Sequence, residues 1–404
     1  MTKLYDIALK NIKNNIISSN GKKYITAGSV QFRTLWIRDF GYSVDALYDH
    51  GFSDIINNTI ILYLNSLRPS GPSGPSGFAK KSSSSISGLS GLHGPKCFDS
   101  INPEWRTVVA SIRHTLGLQR VSEPIKGLKP YMYRDSRNSV AIDSNIMICL
   151  AAEKTGIHKK CIKTIKKLID WYQKDNGLIV QDAYSDFQDS QSRKGKIFTI
   201  NLLYYVCLKK YKDQGYDLIS SQSLDSLKNK IIETFYDNRA GIFVTQKGQK
   251  YICLLDNLLA IKYNFSPKGQ KNLYNSLKNS KLWSRSKLGI PGFATYPNYD
   301  DIHIQVLFGN LSNYHNDMYW GWLMAFSGII AYKMNDISEG HKIYNVLNKL
   351  AIRDGCISEI YKPEPNFPIF ESFTYSSERP FTMSACYALE LAKNNAKAIT
   401  TVHK

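Results

Sequence analysis

The sequence predicts an all-α fold, a closed ring of helical hairpins with short β ribbons in its loops. Three observations predict it. Apolar residues recur at helical spacing in about a dozen stretches spread over most of the chain. Strand signals are few and short, Gly177-Leu178-Ile179-Val180 and Gly241-Ile242-Phe243-Val244. The competing helical architectures fail: no heptad run reaches coiled-coil length, and no fixed repeat of about 33–40 residues marks a solenoid. A single domain of 404 residues can bury a large core, and a ring of hairpins is the compact solution that remains.

The elements follow in order. The N-terminal stretch MTKLYDIALKNIKNNIISSN is amphipathic and lacks the long apolar core of a signal peptide, so it reads as the first helix. Ser53-Asp54 caps a run carrying Ile55, Ile56, Ile60, Tyr63 and Leu64 on one face. Residues 69–96, rich in Ser, Gly and Pro, interrupt the pattern as a low-complexity flexible insertion. A helix over 103–116 follows. Asp143-Ser144 opens the next, with Ile142, Ile146, Cys149 and Leu150 at helical spacing and a glycine stop at Thr155-Gly156. Further helices are expected over about 158–174, 196–210, 222–236, 252–264, 269–279, 317–334, 338–351 and 380–394, giving one domain over 1–404.

Composition narrows the function classes. Hydrophobic residues at 43% and aromatics at 12% exclude a disordered chain. A net charge of +19 could steer an anionic partner, but the lysines are scattered. Their densest cluster, Lys159-Lys160, Lys163 and Lys166-Lys167, reads as a solvated helix face. Without a helix-turn-helix or a dense arginine stripe, nucleic acid is the disfavoured partner. Seven cysteines include no CxxC pair and sit mostly in apolar helices, which reads as buried reduced thiols. With no apolar stretch of membrane length, the expected location is cytoplasmic. Walker A, GxGxxG, GxSxG and HExxH motifs are all missing, and no His/Cys/carboxylate set has metal spacing. No metal or cofactor is expected.

Five constellations could carry chemistry. Trp36-Ile37-Arg38-Asp39-Phe40 sets an ion pair among aromatics, fit either for sugar hydroxyls with a stacking ring or for a helix start. Asp143 opens an apolar helix and reads equally as an N-cap. The stretch 184–201, YSDFQDSQSRKGKIFTIN, holds Asp186 and Asp189 beside Phe187, whose burial could raise the proton affinity of an acid. His315-Asn316 precedes the tryptophan-rich Met318-Tyr319-Trp320-Gly321-Trp322 and offers hydroxyl binding with stacking. Glu359 follows the turn at Asp354-Gly355, with Tyr361 placed to orient it; Glu364, Glu371 and Glu378 compete. Two carboxylates from distant loops can cleave a glycosidic bond by acid/base chemistry.

Taken in order, these motifs resemble the glycoside hydrolases built on an (α/α)6 barrel. The likeness covers residues 35–392 and is nearest to the glycogen-debranching amylo-α-1,6-glucosidases and neutral invertases, and more distant to glucoamylases, trehalases and mannosylglycerate hydrolases. It rests on WIRDFGYSVDAL, AIDSNIMICLAAEKTG, FQDSQSRKGKIFTINLLYY, YHNDMYWGW, SEIYKP and FTMSACYAL. The resemblance implies an (α/α)6 toroid with Asp189 as general acid and Glu359 as general base. It places Arg38, Asp39, Asp143, His315 and Asn316 at the sugar, with Trp36, Phe187, Trp320 and Tyr361 around them. The families usually have Trp at Phe187, Gly-Gly or Gly-Thr at Asp317-Met318, and often Trp at Met383. The expectation is an inverting hydrolase of α-glucosidic or related oligosaccharide bonds. The alternatives are a non-catalytic carbohydrate-binding protein on the same fold and, behind it, a basic nucleic-acid-binding module. Asp186 as acid and Glu371 as base stay open at this point.

Overall fold

The structure, a computed structural model, describes residues 2–65, 100–101, 130–131 and 141–402, apart from 31, 173, 287, 303–310, 364 and 373–374. The insertion expected at 69–96, the helix expected at 103–116 and Cys97 lie outside the described residues.

The chain opens with α1 (Lys3–Asn14), whose N-cap Thr2 accepts the Tyr5 N–H. The antiparallel hairpin β1 (Ile16–Ser19) and β2 (Lys22–Ile25) turns through Asn20-Gly21, both at positive φ, an Asn-Gly turn whose twist matches its strands. β3 (Leu35–Trp36) runs into α2 (Ile37–Asp49), followed by α3 (Ser53–Asn65), β4 (Ser100–Ile101) and β5 (Pro130–Tyr131). Next come α4 (Ser144–Thr155), stopped by Gly156 at φ 76°, and α5 (His158–Asp170). A three-stranded ribbon of β6 (Lys174–Asp175), β7 (Leu178–Gln181) and β8 (Gly195–Lys196) leads into α6 (Phe198–Asp213) and α7 (Ser221–Phe235). The ribbon β9 (Tyr236–Asp237) and β10 (Ile242–Phe243) precedes β11 (Ile252–Cys253), α8 (Leu254–Lys262), α9 (Gln270–Asn279), the single turn α10 (Lys281–Ser284) and β12 (Thr295–Tyr296). The last elements are β13 (Tyr319–Trp320), α11 (Gly321–Lys333), α12 (Ile337–Asp354), β14 (Ile360–Tyr361) and α13 (Thr382–Val402).

Six helices close a ring: α2 packs on α4, α4 on α6, α6 on α8, α8 on α11, α11 on α13, and α13 back on α2. The others form an outer layer, with α3 on α2 and α4, α5 on α4, α7 on α6, α9 on α8, α12 on α11, and α1 on α12 and α13. The sequence dictates which helix goes where. Every residue from Leu254 to Ile261 of α8 is buried, and α11 is apolar all round, so both need neighbours on every side. In contrast α5 buries only His158, Ile165, Leu168 and Ile169, and α9 only Leu273, Tyr274 and Leu277, the single stripe of an outer helix.

Helix α2 lies outside the runs that apolar periodicity predicts, although Asp39 suits a helix start. Gly41 and the β-branched Val44 weaken its propensity, and tertiary packing forms it: a Cβ at Gly41 would sit 2.6 Å from Met147 Cβ, so α2 and α4 approach closely. The expected run at 317–334 begins later, because 319–320 pair with 360–361 as β13 and β14. Three inner helices, α2, α8 and α11, start directly from two-residue strands, and α6 starts one residue after β8. Thr199 in the first turn of α6 bonds Asp256 in the first turn of α8, so these N-termini open at one end of the ring, its mouth, where the positive ends of the helix dipoles converge. Among the described residues no helix is long and apolar enough to cross a membrane.

Candidate active site

The mouth collects the strand–helix junctions. Arg38, in the first turn of α2, reaches the segments that lead into the next two inner helices, α4 and α6. Its Nε and Nη2 donate to the two oxygens of Asp143 at 2.6 and 3.2 Å, and its Nη1 donates to Asp189 Oδ2 at 3.1 Å. The planar fork holds one carboxylate with two bonds and the next with one. Asp143 stands at the N-cap position of α4, but its backbone is helical, its side chain serves Arg38 and makes no capping bond, and it is 1% exposed. The Asp189 side chain is 39% exposed, and its Oδ1 makes no hydrogen bond among the described residues. Loss of solvation among the protein groups around it pushes Asp189 up to about 6 although the side chain is part-exposed, against the pull of Arg38, and neighbouring Asp143 and Asp186 add to the rise. Asp39 is pushed up to about 7, again by burial first. One guanidinium cannot neutralise this many carboxylates, so the cluster retains protons into the neutral range.

Asp186, the rival acid, anchors the loop. Its Oδ1 accepts the Gln188 N–H at 2.9 Å, its Oδ2 accepts Gln181 Nε2 at 2.8 Å, and Arg193 lies 3.4 Å away; the residue is 1% exposed. Arg193 also donates to Gln188, and Gln188 donates to Thr295. The loop that carries Asp189 thus stands on a buried polar platform.

Glu359 enters between β13 and β14, where Trp320 pairs with Ile360 and the Gly321 N–H bonds the Glu359 carbonyl at 2.9 Å. Its carboxylate is enclosed by donors. Tyr314 bonds Oε1, while Tyr375 donates to Oε2 at 2.5 Å and the Glu378 N–H at 3.2 Å. Burial pushes Glu359 up to about 8, opposed by these three bonds. Glu371, the rival base, has a side chain 54% exposed and pairs with Arg379.

His315 links the two halves. Its Nδ1 lies 2.6 Å from Ser190 Oγ, its ring stacks on Trp320 at 4.9 Å and 9°, and neighbouring Tyr314 holds Glu359. Burial, then Arg38 and Arg193, hold His315 well below the usual histidine range, so the ring is neutral. Its Nε2 is buried without a partner among the described residues, a polar atom left for a ligand hydroxyl or water.

Other expected contacts sit behind this wall. Asn316 is committed to bracing: Oδ1 accepts Gln191 Nε2 at 2.7 Å and the Tyr299 N–H at 3.0 Å, and Nδ2 donates to the Tyr299 carbonyl at 3.1 Å. Phe187, 6% exposed, packs edge-on against His315, Trp320 and Trp322. Trp320 donates its Nε1 to the Tyr314 carbonyl. The expectation that Tyr361 orients Glu359 is corrected. Tyr361 is fully buried and its hydroxyl accepts the Ser358 N–H at 3.0 Å, so it is engaged by backbone and not by the Glu359 carboxyl. The orienting phenols are Tyr314 and Tyr375. Tyr314 lay in a motif already singled out; Tyr375, in TYSSERP, had no signal beyond being aromatic. Trp36, half-buried, ends β3 two residues before Arg38. Asp317, where the resembled families have small residues, is tied to Arg285 and Asn298.

The architecture is the (α/α)6 toroid. Solved structures share it: a glucoamylase from Hormoconis resinae (TM-score 0.61, 13% identity, 97% of this chain and 72% of that one), a glycosidase in complex with glucose (0.56, 11%, 98% and 97%), and a glucoamylase from Saccharomycopsis fibuligera (0.55, 14%, 98% and 95%). Neither a protein-family model nor a curated protein matches the sequence.

Proposed function

We propose that this protein is an inverting glycoside hydrolase acting on α-glucosidic or related oligosaccharide bonds. Asp189 donates a proton to the leaving oxygen as the glycosidic C–O bond breaks. Glu359 takes a proton from water, whose oxygen bonds the anomeric carbon from the opposite face, so an α-linkage yields a β-sugar. The observation that carries this reading is the contrast between two carboxyl groups of raised proton affinity at one mouth. Asp189 is part-exposed with one oxygen open, whereas Glu359 is held from three sides by donors. A carboxyl with an open oxygen suits proton delivery, and one surrounded by donors suits the charged form. The glycosidase and glucoamylase neighbours on the same fold agree with a carbohydrate substrate.

One observation favours the reverse division of roles. Glu359 sits at about 8 and Asp189 at about 6, so the free protein near neutrality carries its proton on Glu359. Leaving-group dependence separates the two. With glucosyl fluoride, whose departure needs little protonation, the variant lacking the acid keeps turnover and the variant lacking the base does not. The experiment is NMR-monitored incubation with maltose, isomaltose, trehalose, sucrose and maltooligosaccharides, then with α-glucosyl fluoride for Asp189→Asn and Glu359→Gln. Release of the β-anomer, with fluoride turnover kept only in Asp189→Asn, is expected. Fluoride turnover kept only in Glu359→Gln reverses the roles. Ligand-induced shifts without turnover of any substrate leave a carbohydrate-binding protein.

A further inference from the structure

Glu378 takes no part in the proposed chemistry, yet its carboxylate is 1% exposed and heavily engaged. Its Oε1 accepts the N–H groups of Ser29 at 2.9 Å and Val30 at 2.8 Å, and its Oε2 accepts that of Phe32 at 2.9 Å. A turn whose successive N–H groups converge is a nest that takes an anion, and here the anion is supplied by the chain itself. The Glu378 backbone engages Glu359: its N–H donates to Glu359 Oε2 at 3.2 Å, and its carbonyl accepts the Glu359 N–H at 2.9 Å. On the other side, the 28–32 turn leads directly into β3 and Arg38, the cation that holds Asp189. The two segments are joined further along, where Gly28 bridges Phe381 and the Thr382 N–H bonds the Ala27 carbonyl at 2.8 Å. A Cβ on Gly28 would overlap the Glu378 carboxyl, so the turn has room for that carboxylate and nothing more.

We propose that Glu378 is a positioning residue for the catalytic pair: its buried carboxylate clasps the backbone at Ser29, Val30 and Phe32 and so fixes Glu359 on one side and Arg38 with Asp189 on the other. This rests on the reading of Asp189 and Glu359 as that pair. The clasp has a second consequence, because the Glu378 charge beside Glu359 favours the protonated form of the latter.

The test compares wild type with Glu378→Gln and Gly28→Ala, each checked for folding by circular dichroism. The readouts are backbone amide exchange over residues 29–34 and the pH–rate profile on whichever glucoside the wild type cleaves. Glutamine cannot accept all three N–H groups, so exchange in the turn should rise roughly tenfold. The kcat should fall roughly 10²-fold with KM little changed. The alkaline limb should move to lower pH, since a charge that favoured protonation of Glu359 is gone. Gly28→Ala displaces the carboxylate but keeps its charge, so it should lower kcat and speed exchange without that acid-ward move. If Glu378→Gln misfolds, Gly28→Ala alone decides through exchange and kcat. Unchanged exchange in the turn overturns the clasp whatever the activity. Faster exchange with unchanged kcat overturns the positioning role. No wild-type turnover on any glycoside removes the hydrolase reading and positioning with it, while exchange still shows whether the clasp exists.

Discussion

At the scale of the residue, the site is an argument about where protons rest. Glu359 is pushed up to about 8 and Asp189 to about 6, both chiefly by burial. The kcat/KM profile should therefore be a bell around neutrality with apparent limbs near these values, belonging to the pair jointly. Tyr375 donates to Glu359 and stabilises its charge, so Tyr375→Phe should move the alkaline limb upward, opposite to Glu378→Gln. A lowered or unmoved limb in Tyr375→Phe would remove that phenol from the account. The same burial has a stability cost with a definite sign. Between the ordinary glutamate value and about 8 the folded state holds a proton that the unfolded chain has lost. Stability is therefore fully present below the ordinary value and lost as pH rises through about 8. Glu359→Gln, which cannot ionise, should be more stable than wild type at pH 9 by on the order of 3 kcal/mol, with the gap closing toward pH 4. Melting temperatures of both proteins across that range check it, and a constant gap would refute it. Arg38, Asp143, Asp189 and Glu359 were all legible in the sequence as chemistry-bearing residues. Their connections were not, because Arg38 finds its two carboxylates 105 and 151 residues away. No local pattern encodes such a pairing.

At the scale of the element, two inner helices repeat one device. Asn201, in the first turn of α6, accepts the Ile179 N–H with Oδ1 and donates Nδ2 to the carbonyls of Ile179 and Ile197. Asn257, at the same place in α8, treats the N–H and carbonyl of Phe243 and the carbonyl of Cys253 identically. Each asparagine pins the preceding β ribbon to the start of its helix, completing backbone groups that the short ribbons leave open. The sequence showed both ribbons, Gly177–Val180 and Gly241–Val244, and Asn201 itself. It did not show the repeat, since the intervening loops differ in length and the shared feature is one residue in a hydrogen-bonding role. Replacing either asparagine by alanine strands a buried N–H and carbonyl, and should cost about 3 kcal/mol in chemical denaturation. Asn201→Ala should cost activity as well, because its ribbon includes β8, which ends the Asp189 loop. Asn257→Ala should act mainly on stability. Equal loss of kcat in both would show that the braces serve the whole mouth.

At the scale of the molecule, a ring must close, and closure is decided where helices approach most tightly. The sequence identified most of the helices by their periodicity, but which of them are inner, as α11 is, emerged only from their packing. Closure itself was inferred by elimination, because it is made by contacts between the two ends of the chain. Those contacts are α13 on α2 and the seam between 26–32 and 378–382. Close approach has a marker in glycine: at Gly328 of α11 a Cβ would meet Leu391 of α13 at 2.6 Å and Ile343 of α12 at 3.1 Å, so the backbone lies directly against both neighbours. A side chain there must separate helices that belong to the ring and to its outer layer. Gly328→Leu should therefore destabilise by about 1–3 kcal/mol through overpacking. Gly328 lies two helical turns from the mouth, with the catalytic side chains held by their own local network. The folded fraction should thus retain its KM and both pH limbs while the melting temperature falls. A shift of either limb in Gly328→Leu would mean that the mouth is set by the global geometry of the ring, and that the buried polar platform beneath Asp189 and the donors around Glu359 do not suffice to hold it.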